Sequence, residues 1–467
     1  MAQNRLLLSY YGDDFTGSTD VLEALTINGI PTALFLEPPD QETVSRFRLK
    51  HNISCSGNGS LKAMGVAGIA RSMTPAEMDN SLPPIFKRLS DLDPELFHYK
   101  VCSTFDSSPK VGNIGRATEL AQGCLDSPFI PLVIGAPILK RYTSFGNLFA
   151  AVDGITFRID RHPTMSRHPV TPMDEGDIRL HLAKQTKIPV NLFDLLQMQG
   201  TAEQVDEKFA PLLSAKGEYI LFDILDETHL ITAGRLIWEN RKKNTLFLVG
   251  SSGMEYALCE YWHSKGIAAK PPAPKGPGPA EKIVVMCGSC SPATGAQIKY
   301  AIDKGYTDIR IDGPSMADNV KAEKEIERIV SMSLDRLTQG SNVVIYSAAG
   351  PDDLAISKTK QALKESGNGH HSPSQVLGEA QGQILKVILE ESGVTRAVVA
   401  GGDTSGYVAK QLGIIALEMV MPIAPGSPLC CAHSENPKFD GLVIALKGGQ
   451  VGTPEYFEYC RLGKAKK

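Results

Sequence analysis

The chain has 467 residues, 42% of them hydrophobic and 21% charged, with a formal net charge of -4. That length suits two or three globular domains, and the acidic balance argues against a nucleic-acid or membrane surface as the main partner. No stretch is apolar for long enough to cross a bilayer. The first ten residues hold one arginine and a three-leucine run, which is not an export signal, so a cytoplasmic setting is expected. Nine cysteines without such a signal read as reduced thiols.

In chain order, residues 6–9 predict a buried strand, 20–28 a helix stopped by Gly29, and 31–36 the next strand. Further strands are expected at 132–134, 219–222 and 245–249. Residues 270–281, KPPAPKGPGPAE, carry five prolines and two glycines, which cannot continue a helix or a central strand. A linker is placed at 270–282, between domains at 1–269 and 283–467. Beyond it, strands are expected at 283–286, 343–346, 397–400 and 442–446, and residues 368–374 read as an exposed loop. Short apolar runs alternating with helical patterns imply an α/β protein of two domains, each with a largely parallel sheet flanked by helices.

Parallel sheets gather ligands at the carboxyl ends of their strands. Four turns at such ends stand out. Tyr11-Gly-Asp-Asp-Phe-Thr-Gly-Ser-Thr-Asp20 packs Asp13, Asp14, Asp20 and three hydroxyls into one turn and a helix start, although a helix cap needs only one of them. A solvated capping turn and a functional site are both compatible with it. Cys287-Gly-Ser-Cys-Ser-Pro-Ala-Thr294 places Ser291 as a cap and Pro292 at the first helical position, with free amides suited to an anion. Its C-x-x-C spacing also fits a thiol redox pair, but no small redox domain surrounds it. Ala400-Gly-Gly-Asp-Thr-Ser-Gly406 permits close backbone approach, and Asp403 can hold Mg²⁺ or orient a hydroxyl. Lys447-Gly-Gly-Gln-Val-Gly452 is weak alone. No Walker-type loop and no G-x-G-x-x-G after a strand occurs, and the scattered histidines, including His162 and His168, lack zinc-ligand spacing.

Taken together, Asp13-Asp14-Phe15-Thr16-Gly17 with Asp20, Gly288-Ser-Cys-Ser291, Gly401-Gly-Asp-Thr-Ser-Gly406, Pro425-Gly-Ser-Pro428 and Lys447-Gly-Gly-Gln-Val-Gly452 resemble, in order, the signatures of the four-carbon acid-sugar kinase family. The resemblance implies a sugar-acid-binding amino-terminal domain, a nucleotide-binding carboxyl-terminal domain, and ATP with Mg²⁺ as phosphoryl donor. It implies that Asp13 or Asp14 orients the accepting hydroxyl and takes its proton, and that Arg71 and Lys100 neutralise the substrate carboxylate. Ser103, Thr104 and Asn113 match the family's substrate segment. Ser289, Ser291, Gly401, Gly402, Thr404, Gly448 and Gly449 would meet the nucleotide, with Asp403 toward the metal.

The match is uneven between residues 100 and 115. Cys102 stands where the family has Asp, the family Arg has no counterpart, and an insertion separates Thr104 from Gly112-Asn113. Residues 158–170, RIDRHPTMSRHPV, form a further departure, a polar loop that can embrace a carboxylate through Arg161 or Arg167. Both departures point to an oxidised or branched acid rather than plain erythronate or threonate. The expected partner is therefore a small acid sugar, and self-association into a homo-oligomer is compatible with it. Two other classes share these features: a different nucleotide-dependent enzyme, and a non-catalytic sugar-acid sensor.

Overall fold

The computed structural model of the protein describes residues 5–50, 61–214, 216–366 and 372–465. Two compact units divide at Pro272 and Ala273, within a stretch, 269–283, that carries no helix or strand. Each unit is built on its own.

In unit one the strands are β1 (Leu8–Gly12), β2 (Thr32–Phe35), β3 (Ala63–Ala67), β4 (Leu96–Lys100), β5 (Ile130–Val133), β6 (Arg141–Ser144), β7 (Asn147–Val152), β8 (Ile155–Arg158), β9 (Val190–Phe193), β10 (Tyr219–Phe222) and β11 (Leu246–Gly250). Eight of them pair in the order β2–β3–β1–β4–β11–β5–β10–β9, every pair parallel. Strands β1, β4 and β11 are buried throughout, as short apolar runs under two helical layers must be. Tyr11 on β1 stacks on Tyr99 on β4 with ring centroids 6.1 Å apart, and Phe86 meets both rings edge-on. Strands β6, β7 and β8 form a separate antiparallel sheet that the apolar pattern did not disclose.

Unit two contains β12 (Val284–Cys287), β13 (Thr307–Arg310), β14 (Val343–Tyr346), β15 (Arg396–Ala400), β16 (Ile414–Ala424), β17 (Ser427–Ser434) and β18 (Val443–Lys447). Their order is β13–β14–β12–β15–β18–β17–β16, parallel as far as β18 and antiparallel from β18 through β17 to β16. The Pro425-Gly-Ser-Pro428 motif is the β16–β17 hairpin turn, in which Ala424 faces Ser427 and Gly426 takes a φ of 69°.

Several boundaries differ from the sequence expectation. The first strand is 8–12 rather than 6–9, and the first helix starts at Phe15, five residues early, because Asp14 caps it. Residues 158–170 are not wholly loop: Arg158 ends β8, and single 3-10 turns follow at Ile159–Arg161 and Met165–Arg167. Of the loop expected at 368–374, residues 368–371 lie outside the described residues, while Ser372 caps the Pro373–Ser392 helix.

In each unit the first strand is flanked by neighbours reached in opposite directions. In unit one the chain runs to β2 and β3 on one side of β1 and to β4 on the other; in unit two β14 and β15 flank β12. Crevices at such switch points are where parallel sheets bind ligands.

Candidate active site

In unit one, Asp13 and Asp14 leave β1, and Arg71 sits in a 3-10 turn, Ala70–Ser72, after β3. The Arg71 guanidinium donates from Nη2 to Asp13 Oδ1 at 3.1 Å and from Nε to Oδ2 at 3.3 Å, while its Nη1 lies 2.9 Å from Asp14 Oδ2. The backbone supports the pair, since the Arg71 amide donates to the Asp13 carbonyl at 2.9 Å and the Asp13 amide to the Lys100 carbonyl at 2.9 Å. Three of the five N–H groups of a guanidinium are thus used, and two remain for a ligand.

The two aspartates differ in setting. The Asp13 side chain is 6% exposed and Asp14 is 28% exposed. Burial pushes Asp13 up to about 6, against the pull of Arg71 and with help from the Asp14 charge. Asp14 also caps the Phe15–Ile27 helix, its Oδ1 accepting the Gly17 amide at 2.6 Å. Capping and Arg71 pairing therefore coexist in one side chain. Burial works against the Arg71 charge, but Asp13, Cys102, Asp14 and Asp106 together hold the guanidinium well above its ordinary range.

Lys100 ends β4 with its side chain 2% exposed; its Nζ donates to the Val101 carbonyl at 2.8 Å and lies 3.7 Å from Asp20 Oδ2. A Cβ on Gly17 would stand 2.5 Å from Asp14 Oδ1 and 3.1 Å from Lys100 Nζ, so glycine leaves room for both side-chain ends at the helix start. The structure thus places Lys100 beneath the helix start rather than at a surface a ligand can reach. Asn113 caps the Ile114–Gln122 helix, accepting the Arg116 amide at 2.6 Å and donating to the Pro109 carbonyl at 3.2 Å. Thr104 donates to Asp106 Oδ1 at 2.5 Å, and Ser103 is half-buried in the same turn. Arg161 and Arg167 are exposed, and Arg161 lies 3.7 Å from Asp160.

In unit two, the turns after β12, β15 and β18 meet. The Gly288 and Ser289 amides donate to the Ala400 carbonyl at 2.9 and 3.0 Å, and the Gly401 amide to the Lys447 carbonyl at 2.9 Å. Gly288 is forced, because its Cβ would fall 1.8 Å from Thr404 Oγ1. Gly288, Ser289, Ser374, Leu377, Gln381, Gly401, Gly402, Asp403 and Thr404 line a cavity of about 220 Å³. No side chain caps the Gly402–Gln411 helix, whose amino end forms one wall of that cavity. Uncapped amides and the helix dipole make an anion site there. Asp403 is exposed in its first turn.

Ser291 and Gly449 play a different part from the one expected. The Ser291 hydroxyl donates to the Gly449 carbonyl at 2.6 Å and accepts the Thr294 amide at 3.1 Å, so its one donor is spent inside the protein. Gly448 and Gly449 are half-buried, and the Thr294 hydroxyl also donates to the Gly449 carbonyl at 2.9 Å. Sequence reasoning missed Lys447, the first residue of its own fourth motif. Its side chain is fully buried, with Nζ 3.3 Å from the Gly449 carbonyl and 3.4 Å from Thr294 Oγ1. No carboxylate pairs with it among the described residues, and burial pushes its ammonium down to about 8. A lysine ending a buried strand before two glycines was the available signal.

The eight described cysteines are free thiols, and burial pushes Cys287 up to about 12, so the C-x-x-C carries no sign of redox use. Among the described residues no three His, Cys, Asp or Glu side chains converge on a metal-sized site, and no helix is long and apolar enough to cross a membrane.

Comparison with known proteins adds independent findings. A sugar-binding N-terminal domain family matches residues 8–258, and a nucleotide-binding C-terminal domain family matches residues 284–457. The 3-oxo-isoapionate kinase of Paraburkholderia graminis is 44% identical over 98% of this chain and 95% of its own length. The 3-oxo-tetronate kinase of Cupriavidus necator is 29% identical over 97% and 96%. Two solved structures share the fold: one from Salmonella typhimurium LT2 has a TM-score of 0.74 at 22% identity, covering 97% of this chain and 98% of that one. The Haemophilus influenzae protein HI1011 has a TM-score of 0.69 at 24% identity, covering 97% and 99%.

Proposed function

The chain belongs to the four-carbon acid-sugar kinase family and is a sugar-acid kinase, and on that premise we propose that it phosphorylates a hydroxyl of a 3-oxo acid sugar, 3-oxo-isoapionate first among candidates. The observation that carries the reading is the Arg71 guanidinium held by Asp13 and Asp14 at the carboxyl ends of β1 and β3. It combines, in one place, a cation for a carboxylate and a carboxylate for a hydroxyl.

Arg71 uses its two spare N–H groups to hold the substrate carboxylate away from the phosphates of the donor. A charge-assisted contact of this kind contributes about 1.5–3 kcal/mol. Asp14, the more exposed of the pair, accepts the proton of the reacting hydroxyl. That oxygen bonds to the γ-phosphorus of ATP, the bond from phosphorus to the β,γ-bridging oxygen breaks, and ADP leaves with the electron pair. Asp13 keeps Arg71 in register. Lys100, through Asp20 and the Val101 carbonyl, positions the helix start and does not touch substrate. Ser103 and Thr104 lie in the turn that follows β4, whereas Asn113 serves as a cap.

In unit two, the Gly402, Asp403 and Thr404 amides receive phosphate oxygens, Ser289 reaches the nucleotide, and Ser291, Gly448 and Gly449 shape the loop. Lys447 supplies positive potential from beneath it. Among the described residues lining the cavity, Asp403 is the one carboxylate, which suits Mg²⁺ carried on nucleotide phosphates with most of its waters kept. The ion would neutralise charge developing between the β- and γ-phosphates.

A coupled assay of ADP release with a panel of acid sugars tests the proposal. Release should depend on the 3-oxo acid, need no second acceptor, and fall sharply with the corresponding neutral polyol. Equal turnover of acid and neutral polyol would refute the role given to Arg71.

A further inference from the structure

The two departures from the family pattern, near residues 102–112 and 158–170, meet in unit one. Phe105 is fully buried and takes a left-handed φ of 56°, a conformation that a bulky residue adopts only when its surroundings enforce it. Its amide donates to the Cys102 carbonyl at 3.0 Å, and its ring meets His181 edge-on at 6.0 Å. This tight turn brings Asp106 back beside Thr104, whose hydroxyl donates to Asp106 Oδ1 at 2.5 Å. The far end of the segment is tied to the Arg71 turn, the Gly112 amide donating to the Met73 carbonyl at 2.9 Å.

The second departure reaches the other carboxylate oxygen. Thr171 Oγ1 lies 3.4 Å from Asp106 Oδ2 and 2.9 Å from His168 Nδ1. The Thr171 amide donates to that same Nδ1 at 3.1 Å, which makes Nδ1 an acceptor, so the single Thr171 hydroxyl proton is shared between Nδ1 and the Asp106 carboxylate. Asp106 is a buried carboxylate, and its charge acts on the Arg71 guanidinium together with those of Asp13 and Asp14. An ionised carboxylate has about four acceptor positions; Thr104 fills one, and Thr171 offers a second a proton that it shares with His168. The remaining capacity, within electrostatic reach of the cation assigned to the substrate carboxylate, suits a sugar hydroxyl.

We propose that Asp106, held between Thr104 and Thr171, determines specificity by accepting the hydroxyl carried on the branch of a branched 3-oxo acid sugar. The inference rests on the sugar-acid kinase reading of this site. Cys102 presents no carboxylate at the start of the turn, and the left-handed Phe105 turn presents Asp106 four residues later. Thr171 is a positioning residue that orients the carboxylate from the second segment.

The test is steady-state kinetics of the full chain with 3-oxo-isoapionate and 3-oxo-tetronate, comparing unaltered enzyme, Asp106→Asn and Thr171→Val. Asp106→Asn should lower the ratio of kcat/KM for the branched over the unbranched acid by about tenfold or more, the scale of a lost charged hydrogen bond. Thr171→Val should shift the ratio in the same direction by about threefold, through KM for the branched acid, and leave KM for ATP unmoved. Should Asp106→Asn fail to fold, the Thr171→Val ratio decides. Equal losses with both acids would make Asp106 a structural residue and overturn the inference, as would an unchanged ratio. Unaltered enzyme that turns over neither acid would instead overturn the kinase reading and this inference with it.

Discussion

The Ser291 hydroxyl donates to the Gly449 carbonyl at 2.6 Å, pinning the turn after β18 onto the turn after β12 across 158 residues of sequence. The same oxygen accepts the Thr294 amide and caps the Pro292–Asp303 helix. Ser291→Ala removes both contacts. Loss of such a cap costs about 0.5–2 kcal/mol, so the melting temperature should fall. The loop is then no longer held, and KM for ATP should rise severalfold while KM for the acid stays put. Calorimetry and steady-state kinetics check the two effects; a change in acid KM alone would contradict the assignment.

Asp14→Asn keeps the cap geometry, since an asparagine oxygen still accepts the Gly17 amide, but removes the proton acceptor. We expect kcat to drop by about a hundredfold or more, the scale of general-base loss, with ATP affinity measured by titration unchanged. Near-normal turnover would reduce Asp14 to a helix cap. Arg71→Ala should raise KM for the acid by roughly ten- to a hundredfold.

The pH dependence follows from Asp13. Burial raises its folded-state value from 3.8 to about 6, so the folded chain binds this proton more tightly than the unfolded one. Its stability contribution is fully present below about pH 4 and is lost as pH rises through 6. Ionised Asp13 is the form that clamps Arg71, so kcat/KM should fall with an acid limb near pH 6. Asp13→Asn should remove that limb; an unchanged limb would assign it elsewhere.

Lys447 carries the opposite sign. Its ammonium is pushed down from 10.5 to about 8, so the unfolded chain binds the proton more tightly, and this residue's contribution to stability rises with pH between those values. Lys447→Met removes a buried unpaired charge and should hold or raise the melting temperature at pH 7, while KM for ATP rises about tenfold. Chemical denaturation and kinetics run together separate the two. A destabilised variant with normal ATP affinity would make Lys447 a purely structural pin.

Strand cores were legible in the amino-acid order: the expected spans 219–222 and 343–346 coincide with β10 and β14, because a strand buried on both faces needs a short apolar run bounded by turns. The glycine turns at 288, 401 and 449 were legible too, since each allows a backbone approach that a Cβ would block. What only the tertiary structure decided is which polar groups remain available. Ser291 and Asn113 looked like ligand donors, yet the Ser291 proton goes to the Gly449 carbonyl, and Asn113 is buried as a helix cap that accepts the Arg116 amide and donates to the Pro109 carbonyl. Lys100 looked like a substrate cation, yet it is buried under Gly17, and Thr171 meets Asp106 across 65 residues of chain. A side chain's chemistry is written in its residue type, but whether its donors and acceptors are already satisfied depends on partners that only folding brings within 3.5 Å.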